Sequence, residues 1–219
     1  MKKQPPAKSA MPKLKERDLS NTMPGYSINE YLLVINPNEA LRDKVMEVKK
    51  YFYEAYKNPS AVYSKPYITL VSFIQYQMME EKLMNRLQVI AMGRPPVKIE
   101  LKDYGSFPSH TIYINITSKV PIENLVKEIR AEAQQLMKLN KENKPHFILQ
   151  PYLVIARKLQ PMQYEKGWLE FSNLNFTGRF IADEMLLLKR AIGDMNYTIA
   201  GRFEFKNLPV ATVQGSLFR

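Results

Sequence analysis

The sequence predicts an α+β protein in which duplicated β-α-β units form two facing antiparallel sheets with helices outside. Three observations support this prediction. Short apolar segments typical of strands alternate with amphipathic helical segments along the chain. The order strand–helix–strand occurs twice, at residues 28–74 and again at 110–157. A Pro-Tyr pair followed by a short apolar run stands in both units, as KPYITLVSF (65–73) and QPYLVIARKL (150–159).

The first unit begins with a strand and continues into a helix. YSINEYLLVI (26–35) is a compact apolar segment with branched side chains, which is typical of a strand. Asn36-Pro37-Asn38 interrupts it, and Asn38 is a suitable N-cap because its side chain accepts hydrogen bonds from free helix amides. We predict a helix over 39–56 and a strand over 66–74. The apolar residues of this helix recur at helical spacing: Leu41, Val45, Val48, Phe52 and Ala55.

The second unit follows a helix and a strand that connect it to the first. We predict that helix over 79–92, ended by Gly93. Residues 97–107 alternate apolar and polar side chains, as a half-buried strand does. Pro121 opens a long helix, since the first turn of a helix tolerates a residue without an N–H. The other predicted elements are strands over 110–116 and 149–159, a helix over 161–171, and three strands near 174–182, 185–192 and 196–205, whose pairing order the pattern leaves open.

Composition and charge restrict the chemistry that the chain can perform. Its 219 residues contain no cysteine, which excludes disulfides and thiol nucleophiles, and only two histidines, which argues against a multi-histidine metal centre. The 32 Lys and Arg residues outnumber the 21 Asp and Glu residues, giving a net charge of +11. A positive field of this size favours polyanionic partners such as RNA or nucleotides.

Residues 1–24 differ in composition from the rest of the chain. They are rich in proline and lysine and contain no aromatic side chain. We predict a flexible basic arm over 1–24, followed by a single domain of two pseudo-symmetric lobes over 25–219. No stretch holds about 18 uninterrupted apolar residues, so we expect no membrane span. Together with the absence of cysteine, this favours a cytoplasmic protein.

The two Pro-Tyr segments each place a tyrosine at the start of a strand. On strict alternation, residues two apart share a face. Tyr67 would then share its face with Thr69 and Val71, and Tyr152 with Val154 and Ala156. The same alternation directs Arg157 away from Tyr152. Facing sheets would bring the two tyrosines toward a common place.

These segments resemble the motif strands of the 2H phosphoesterase superfamily, and within it the bacterial 2'-5' RNA ligase-like proteins. Each motif strand of that family carries His-x-Thr/Ser-x, and KPYITL and QPYLVIARKL stand at the matching places. YLLVINPNEALRDKV and GSFPSHTIYINI also resemble segments of the family. The resemblance covers residues 26–205 and implies a bilobal fold with a cleft between the lobes.

The resemblance also implies a chemistry, from which this chain departs. In the family, two histidines flank a 2',3'-cyclic phosphate or a 2'-5' phosphodiester and act as general acid and base without a metal. Here Tyr67 and Tyr152 replace the histidines and Val154 replaces the second hydroxyl, so only Thr69 is retained. A phenol, with an ordinary pKa near 10, is a poor base at neutral pH. We therefore expect the acid–base chemistry to be absent or severely weakened.

The sequence thus predicts a degenerate relative that binds an RNA end or a nucleotide phosphate in the cleft without efficient catalysis. The candidate ligand-binding residues are Tyr67, Thr69, Tyr152 and Arg157, and we expect neither a cofactor nor a metal. Two alternatives stay open: a protein-interaction scaffold with a filled cleft, and an active phosphoesterase that uses tyrosine in place of histidine. His110 and His146 stand outside any His-x-Thr/Ser frame, and we interpret both as ordinary surface or partly buried histidines.

Overall fold

The computed structural model describes residues 26–209, so the arm predicted at residues 1–24 lies outside the described residues. The helices are α1 Glu39–Tyr56, α2 Pro59–Tyr63, α3 Glu80–Met92, α4 Lys119–Met137 and α5 Pro161–Phe171. The strands are β1 Ile28–Ile35, β2 Ile68–Tyr76, β3 Val97–Phe107, β4 Thr111–Ile116, β5 His146–Phe147, β6 Tyr152–Arg157, β7 Thr177–Ala182, β8 Glu184–Ala191 and β9 Thr198–Glu204.

The predicted α+β class is confirmed. The strands pair antiparallel in the order β7-β3-β4-β6-β2-β1-β8-β9, and the short β5 also pairs with β2. We call β7-β3-β4-β6 the Tyr152 half and β2-β1-β8-β9 the Tyr67 half, after the tyrosine at the start of β6 and the one directly before β2. Only one residue pair, Ile68 opposite Leu153, joins β2 to β6. The sheets of the two halves therefore meet edge to edge along a narrow line.

Several predicted elements coincide with the observed ones. The helices at 39–56 and 161–171 and the strand at 97–107 are confirmed to the residue. The predicted N-cap is also confirmed, since the Asn38 side chain accepts a 3.1 Å hydrogen bond from the amide of Leu41. The pattern missed α2 and β5, because elements this short show no period.

The two halves exchange helices. Helix α1 follows β1 of the Tyr67 half, yet it packs against β6 and β7 of the Tyr152 half. Helix α4 follows β4 of the Tyr152 half, yet it packs against α3 and β2 of the Tyr67 half. Each β-α-β unit thus supplies the helix that covers the other half, and the apolar cores of both halves form one continuous cluster.

All the helices in the described range cover the same face of the sheet. We call the opposite face, which carries no helix within residues 26–209, the open face. None of these helices is long and apolar enough to cross a membrane. The open face is consequently the surface on which side chains from both halves are available to a ligand.

Phe52 is the aromatic centre of the core that α1 brings to the Tyr152 half. Its ring is fully buried and lies 5.3 Å from the ring of Phe171 in α5 and 4.7 Å from that of Tyr56. A Cβ added to Gly167 would approach Phe52 to 3.0 Å, so α5 packs closely on the ring at a glycine. This contact fixes α1 against the Tyr152 half.

We expect Phe52→Ala to lower the free energy of unfolding by roughly 3–5 kcal/mol, because the substitution leaves a large cavity under α5. Urea denaturation measures the effect. Tyr53→Ala is the matched control, since Tyr53 is the next residue of the same helix and is 38% exposed. Equal losses in the two variants would contradict the packing assigned to Phe52.

Candidate functional site

The two Pro-Tyr segments meet where β2 pairs with β6. Ile68 and Leu153 lie opposite each other there, and both side chains are fully buried in the helix-covered core. Because side chains alternate along a strand, the residues that flank this pair lie on the open face. These residues are Tyr67, Thr69, Tyr152 and Val154, all of them partly buried. The structure brings these four positions together, and we call them the motif quartet.

Strand β2 contains one extra residue directly after the motif. Thr69 pairs with Val34 of β1, and Val71 pairs with the residue that precedes Val34, so Leu70 is left without a partner in β1. Such an extra residue is a β-bulge, and it shifts the alternation of the side chains beyond it. Val71 therefore lies in the core, not beside Thr69 as strict alternation predicts, and Ser72 joins the motif quartet on the open face.

Strand β6 contains a bulge at the corresponding position, and this bulge corrects the predicted orientation of Arg157. Val154 and Ala156 pair with two consecutive residues of β4, so Ile155 is the extra residue. Beyond it, Ala156 faces the core and Arg157 faces the open side. The prediction that Ala156 shares the face of Tyr152 while Arg157 points away from it is wrong, because alternation is interrupted between them.

Lys49 of α1 holds the β6 bulge from the core side. Its side chain is fully buried, and Nζ donates to Ser64 Oγ at 2.9 Å and to the carbonyl oxygens of Val154 at 3.2 Å and Ile155 at 3.0 Å. Three acceptors match the three donors of an ammonium group. Burial, and to a smaller extent the charge of Arg157, lowers the pKa of Lys49 to about 7.

An aromatic cluster surrounds Tyr152 on the open face. We use this name for Phe107, Tyr113 and Tyr152, whose ring centroids lie 4.7 to 5.0 Å apart. Burial, and then the neighbouring Tyr152, raises the pKa of Tyr113. At the edge of the cluster, His110 Nδ1 lies 2.7 Å from Thr111 Oγ1, in the residue that pairs with Arg157. The cluster offers flat apolar rings beside hydrogen-bonding groups.

The Tyr67 half presents a different surface. Tyr67 and Tyr197 pack against a buried apolar patch formed by Leu32, Val34, Leu186 and Leu188. The Tyr197 ring lies 4.5 Å from the Arg190 guanidinium, and its hydroxyl donates to Glu30 at 3.3 Å. Burial raises the pKa of Tyr197 to about 12, while the charges of Arg190 and Arg157 oppose this rise.

Two polar side chains near the quartet were not assigned to the site from the sequence. His146 of β5 pairs with Ser72, which places it on the open face. Asn36 directly follows β1, whose last residue pairs with Ile68. Its Oδ1 is buried without a hydrogen-bond partner among the described residues. Within residues 26–209 there is no group of three or more His, Asp or Glu side chains suited to a metal ion.

The α+β fold of this chain is also found in solved structures of other proteins. TT0787 of Thermus thermophilus matches at TM-score 0.57 and 13% identity, over 81% of this chain and 98% of that one. E. coli LigT complexed with 3'-AMP matches at TM-score 0.53 and 16% identity, over 82% and 98%. A crystal structure of a phosphoesterase matches at TM-score 0.53 and 14% identity, over 81% and 98%. These matches confirm the predicted 2H phosphoesterase-like fold.

The sequence itself shows the family. The 2'-5' RNA ligase superfamily model matches residues 37–194. The chain belongs to the 2'-5' RNA ligase superfamily, and the resemblance to the 2H phosphoesterases is confirmed. No curated protein matches the sequence.

We expect Lys49→Met to change how stability depends on pH. The pKa of Lys49 is about 7 in the folded chain, against 10.5 for an ordinary lysine. Between these values the unfolded chain binds a proton that the folded chain lacks, so this group makes the free energy of unfolding rise with pH. Removing it should reduce the slope by at most about 1.4 kcal/mol per pH unit.

Urea denaturation at intervals from pH 7 to 9.5 measures this slope. Lys50→Met is the matched control, because the Lys50 side chain is 75% exposed in the same helix. If the free energy of unfolding depended on pH in the same way in Lys49→Met and Lys50→Met, the lowered pKa assigned to Lys49 would be wrong.

Proposed function

We propose that this protein binds the phosphate of a nucleotide or of an RNA end at the motif quartet and processes it inefficiently or not at all. The observation that carries the proposal is the convergence of Tyr67, Thr69, Tyr152 and Arg157 on one open face at the line joining the halves. Hydroxyl groups and a guanidinium are all hydrogen-bond donors, and a guanidinium can hold phosphate through two parallel bonds.

The surroundings of the Arg157 side chain support this assignment. It forms no salt bridge with any described residue. Its backbone is fixed by Ser60, whose Oγ accepts from the Arg157 amide at 2.9 Å and donates to its carbonyl at 2.8 Å. A cation with a fixed backbone and no carboxylate partner is well suited to an anionic ligand, because binding releases no competing ion pair.

Structurally similar proteins bind ligands of this chemical class. E. coli LigT, at 15% to 16% identity, has been crystallised with 3'-AMP, with NADP+ and with phosphate. All three ligands contain phosphate. They support a phosphate-containing ligand for the present chain without identifying it.

Weak or absent catalysis follows from the side chains that occupy the quartet. General acid–base catalysis requires a group whose pKa lies near the working pH. A phenol is a far weaker base than an imidazole, and it can donate a hydrogen bond to phosphate without accepting a proton. Val154 offers no donor. The quartet therefore retains the means to bind phosphate but not a proton acceptor.

We expect Arg157→Ala to weaken binding of 3'-AMP roughly 10- to 100-fold, the loss typical of one hydrogen-bonded charge. Isothermal titration at constant salt measures the dissociation constant. Lys158→Ala is the matched control, because it removes a neighbouring exposed cation from the residue that follows β6. No measurable binding of 3'-AMP, or of a 2',3'-cyclic nucleotide, by the unmodified chain would refute the proposed function.

A second candidate function is phosphoesterase activity with relocated histidines. One observation favours it: His146 lies on the open face of the Tyr67 half, and His110 lies beside Thr111 and the aromatic cluster of the Tyr152 half. Turnover of 2',3'-cyclic AMP by the unmodified chain, lost in His146→Ala or His110→Ala, would establish this function. Turnover lost instead in Tyr67→Phe or Tyr152→Phe would establish tyrosine-based chemistry.

A restoration experiment tests whether the quartet still positions a phosphate. The triple variant Tyr67→His, Tyr152→His and Val154→Thr supplies an acid, a base and the missing hydroxyl. We expect it to hydrolyse 2',3'-cyclic AMP at least 100-fold faster than the unmodified chain, since a placed acid or base typically contributes that much. Tyr113→His, a histidine on the same face outside the quartet, is the control. A folded but inert triple variant would show that the phosphate is not held there.

A further inference from the structure

The open face of the Tyr152 half carries an excess of unpaired positive charge. Strand register places Lys98, Glu100 and Lys102 of β3 and Arg179 of β7 on this face, together with Arg157 of β6. Glu100 is already paired with Lys98 at 2.7 Å. Lys102, Arg157 and Arg179 form no salt bridge with any described residue. We call these three residues the basic track.

The open face of the Tyr67 half carries cations too, but they are neutralised. Arg190 is paired with Glu30, with Nε at 2.6 Å from Oε2, and Arg202 is paired with Glu184 at 2.8 Å. The remainder of that face near Tyr67 is the buried apolar patch. Among residues 26–209, the positive charge of the open face that lacks a salt-bridge partner is therefore concentrated on the Tyr152 half.

The basic track runs away from the motif quartet toward the sheet edge. It begins at Arg157 in β6, crosses β4, and reaches Lys102 in β3 and Arg179 in the edge strand β7. Across the sheet, three strand spacings of about 14 Å in all separate its ends. Along the strands, Arg157 is level with Phe107 through Thr111, and Lys102 stands five residues before Phe107, level with the Tyr152 end of β6. At the outer end Lys102 and Arg179 line a shallow depression of about 460 Å³, together with the exposed Thr117 and Thr177. Glu100, which pairs with Lys98 and lies opposite Arg179 in the register, also lines this depression.

The aromatic cluster borders the inner end of the track. Phe107, Tyr113 and Tyr152 present flat rings on the same face, on strands that the track crosses. Single-stranded nucleic acids are held by this combination, in which cations follow the phosphates and aromatic rings stack on the bases. A mononucleotide bound at the motif quartet would make no contact with Lys102 and Arg179, the outer cations of the track.

We propose that the basic track binds the single-stranded RNA that continues from the phosphate at the motif quartet, so that the ligand is an RNA strand and not a free nucleotide. This inference rests on the proposed function, because it starts from the phosphate site. The strand leaves the quartet over the Tyr152 half, where its phosphates meet Lys102 and Arg179. The apolar and neutralised Tyr67 half offers it no comparable path.

The experiment compares an octauridylate carrying a 3'-phosphate with 3'-UMP, using the full chain. We expect the double variant Lys102→Ala/Arg179→Ala to bind the octamer at least tenfold more weakly at 0.1 M salt. The slope of log K against log salt should fall in magnitude by about 1.4, since each phosphate contact on a single strand contributes about 0.7. Binding of 3'-UMP should stay unchanged.

The matched control is Arg202→Ala/Lys206→Ala, which removes two cations of the Tyr67 half that are paired with Glu184 and Glu204. We expect this control to keep the salt slope of the unmodified chain. If both double variants lost the same affinity for the octamer, the proposed role of the basic track would be wrong, since the loss would reflect net charge alone. Equal affinities of the unmodified chain for the octamer and 3'-UMP would overturn it as well, while the proposed function would stand.

Two further outcomes separate the inference from the proposed function. If 3'-UMP does not bind but the octamer binds through Lys102 and Arg179, the track is supported and the nucleotide site is refuted. If neither binds, both are refuted. Competition with polyglutamate identifies the chemical class, because displacement of the octamer at equal charge concentration would overturn the assignment to RNA.

Discussion

One extra residue in each motif strand determines what the open face presents. Leu70 in β2 and Ile155 in β6 stand three residues after Tyr67 and Tyr152, and each shifts the side chains beyond it to the other face. Without the second bulge, Arg157 would point into the apolar core, where an unpaired charge is strongly destabilising. The position of the Arg157 guanidinium beside the motif quartet thus depends on a backbone irregularity more than on its own interactions.

Hydrogen bonds from the helix-covered side of the sheet stabilise the β6 bulge. The carbonyl groups exposed by the β6 bulge accept hydrogen bonds from Lys49, and Ser64, the third acceptor of that amine, donates to the carbonyl of Ser60 at 2.6 Å. The Ser60 hydroxyl in turn holds the backbone of Arg157. A buried polar network of this kind stabilises only when every member is satisfied, so the short helix α2 and the buried amine fix the end of β6 together.

The order of the elements and most of their limits could be predicted from the sequence, because the hydrophobic period of a long segment distinguishes a helix from a strand. The meeting of the two Pro-Tyr segments could be expected from their repetition and from the family resemblance. The orientation of Arg157 could not, since a bulge such as that at Ile155 has no periodic signature. Nor could the burial of Lys49, because lysine in an amphipathic helix is ordinarily solvated. His146 was not assigned to the site, because it stands outside the motif frame and the strand β5 that carries it is only two residues long.

The exchange of helices between the halves has a consequence for how the chain reaches its folded state. A unit whose helix covered its own strands could collapse early through contacts close in sequence. Here α1 finds its strands β6 and β7 about a hundred residues or more downstream, and closing such long loops is entropically costly before contacts reward it. We therefore expect slow folding with a late, concerted docking of both helices, and a synthesised amino-terminal portion would hold α1 without its partner strands until the chain is nearly complete.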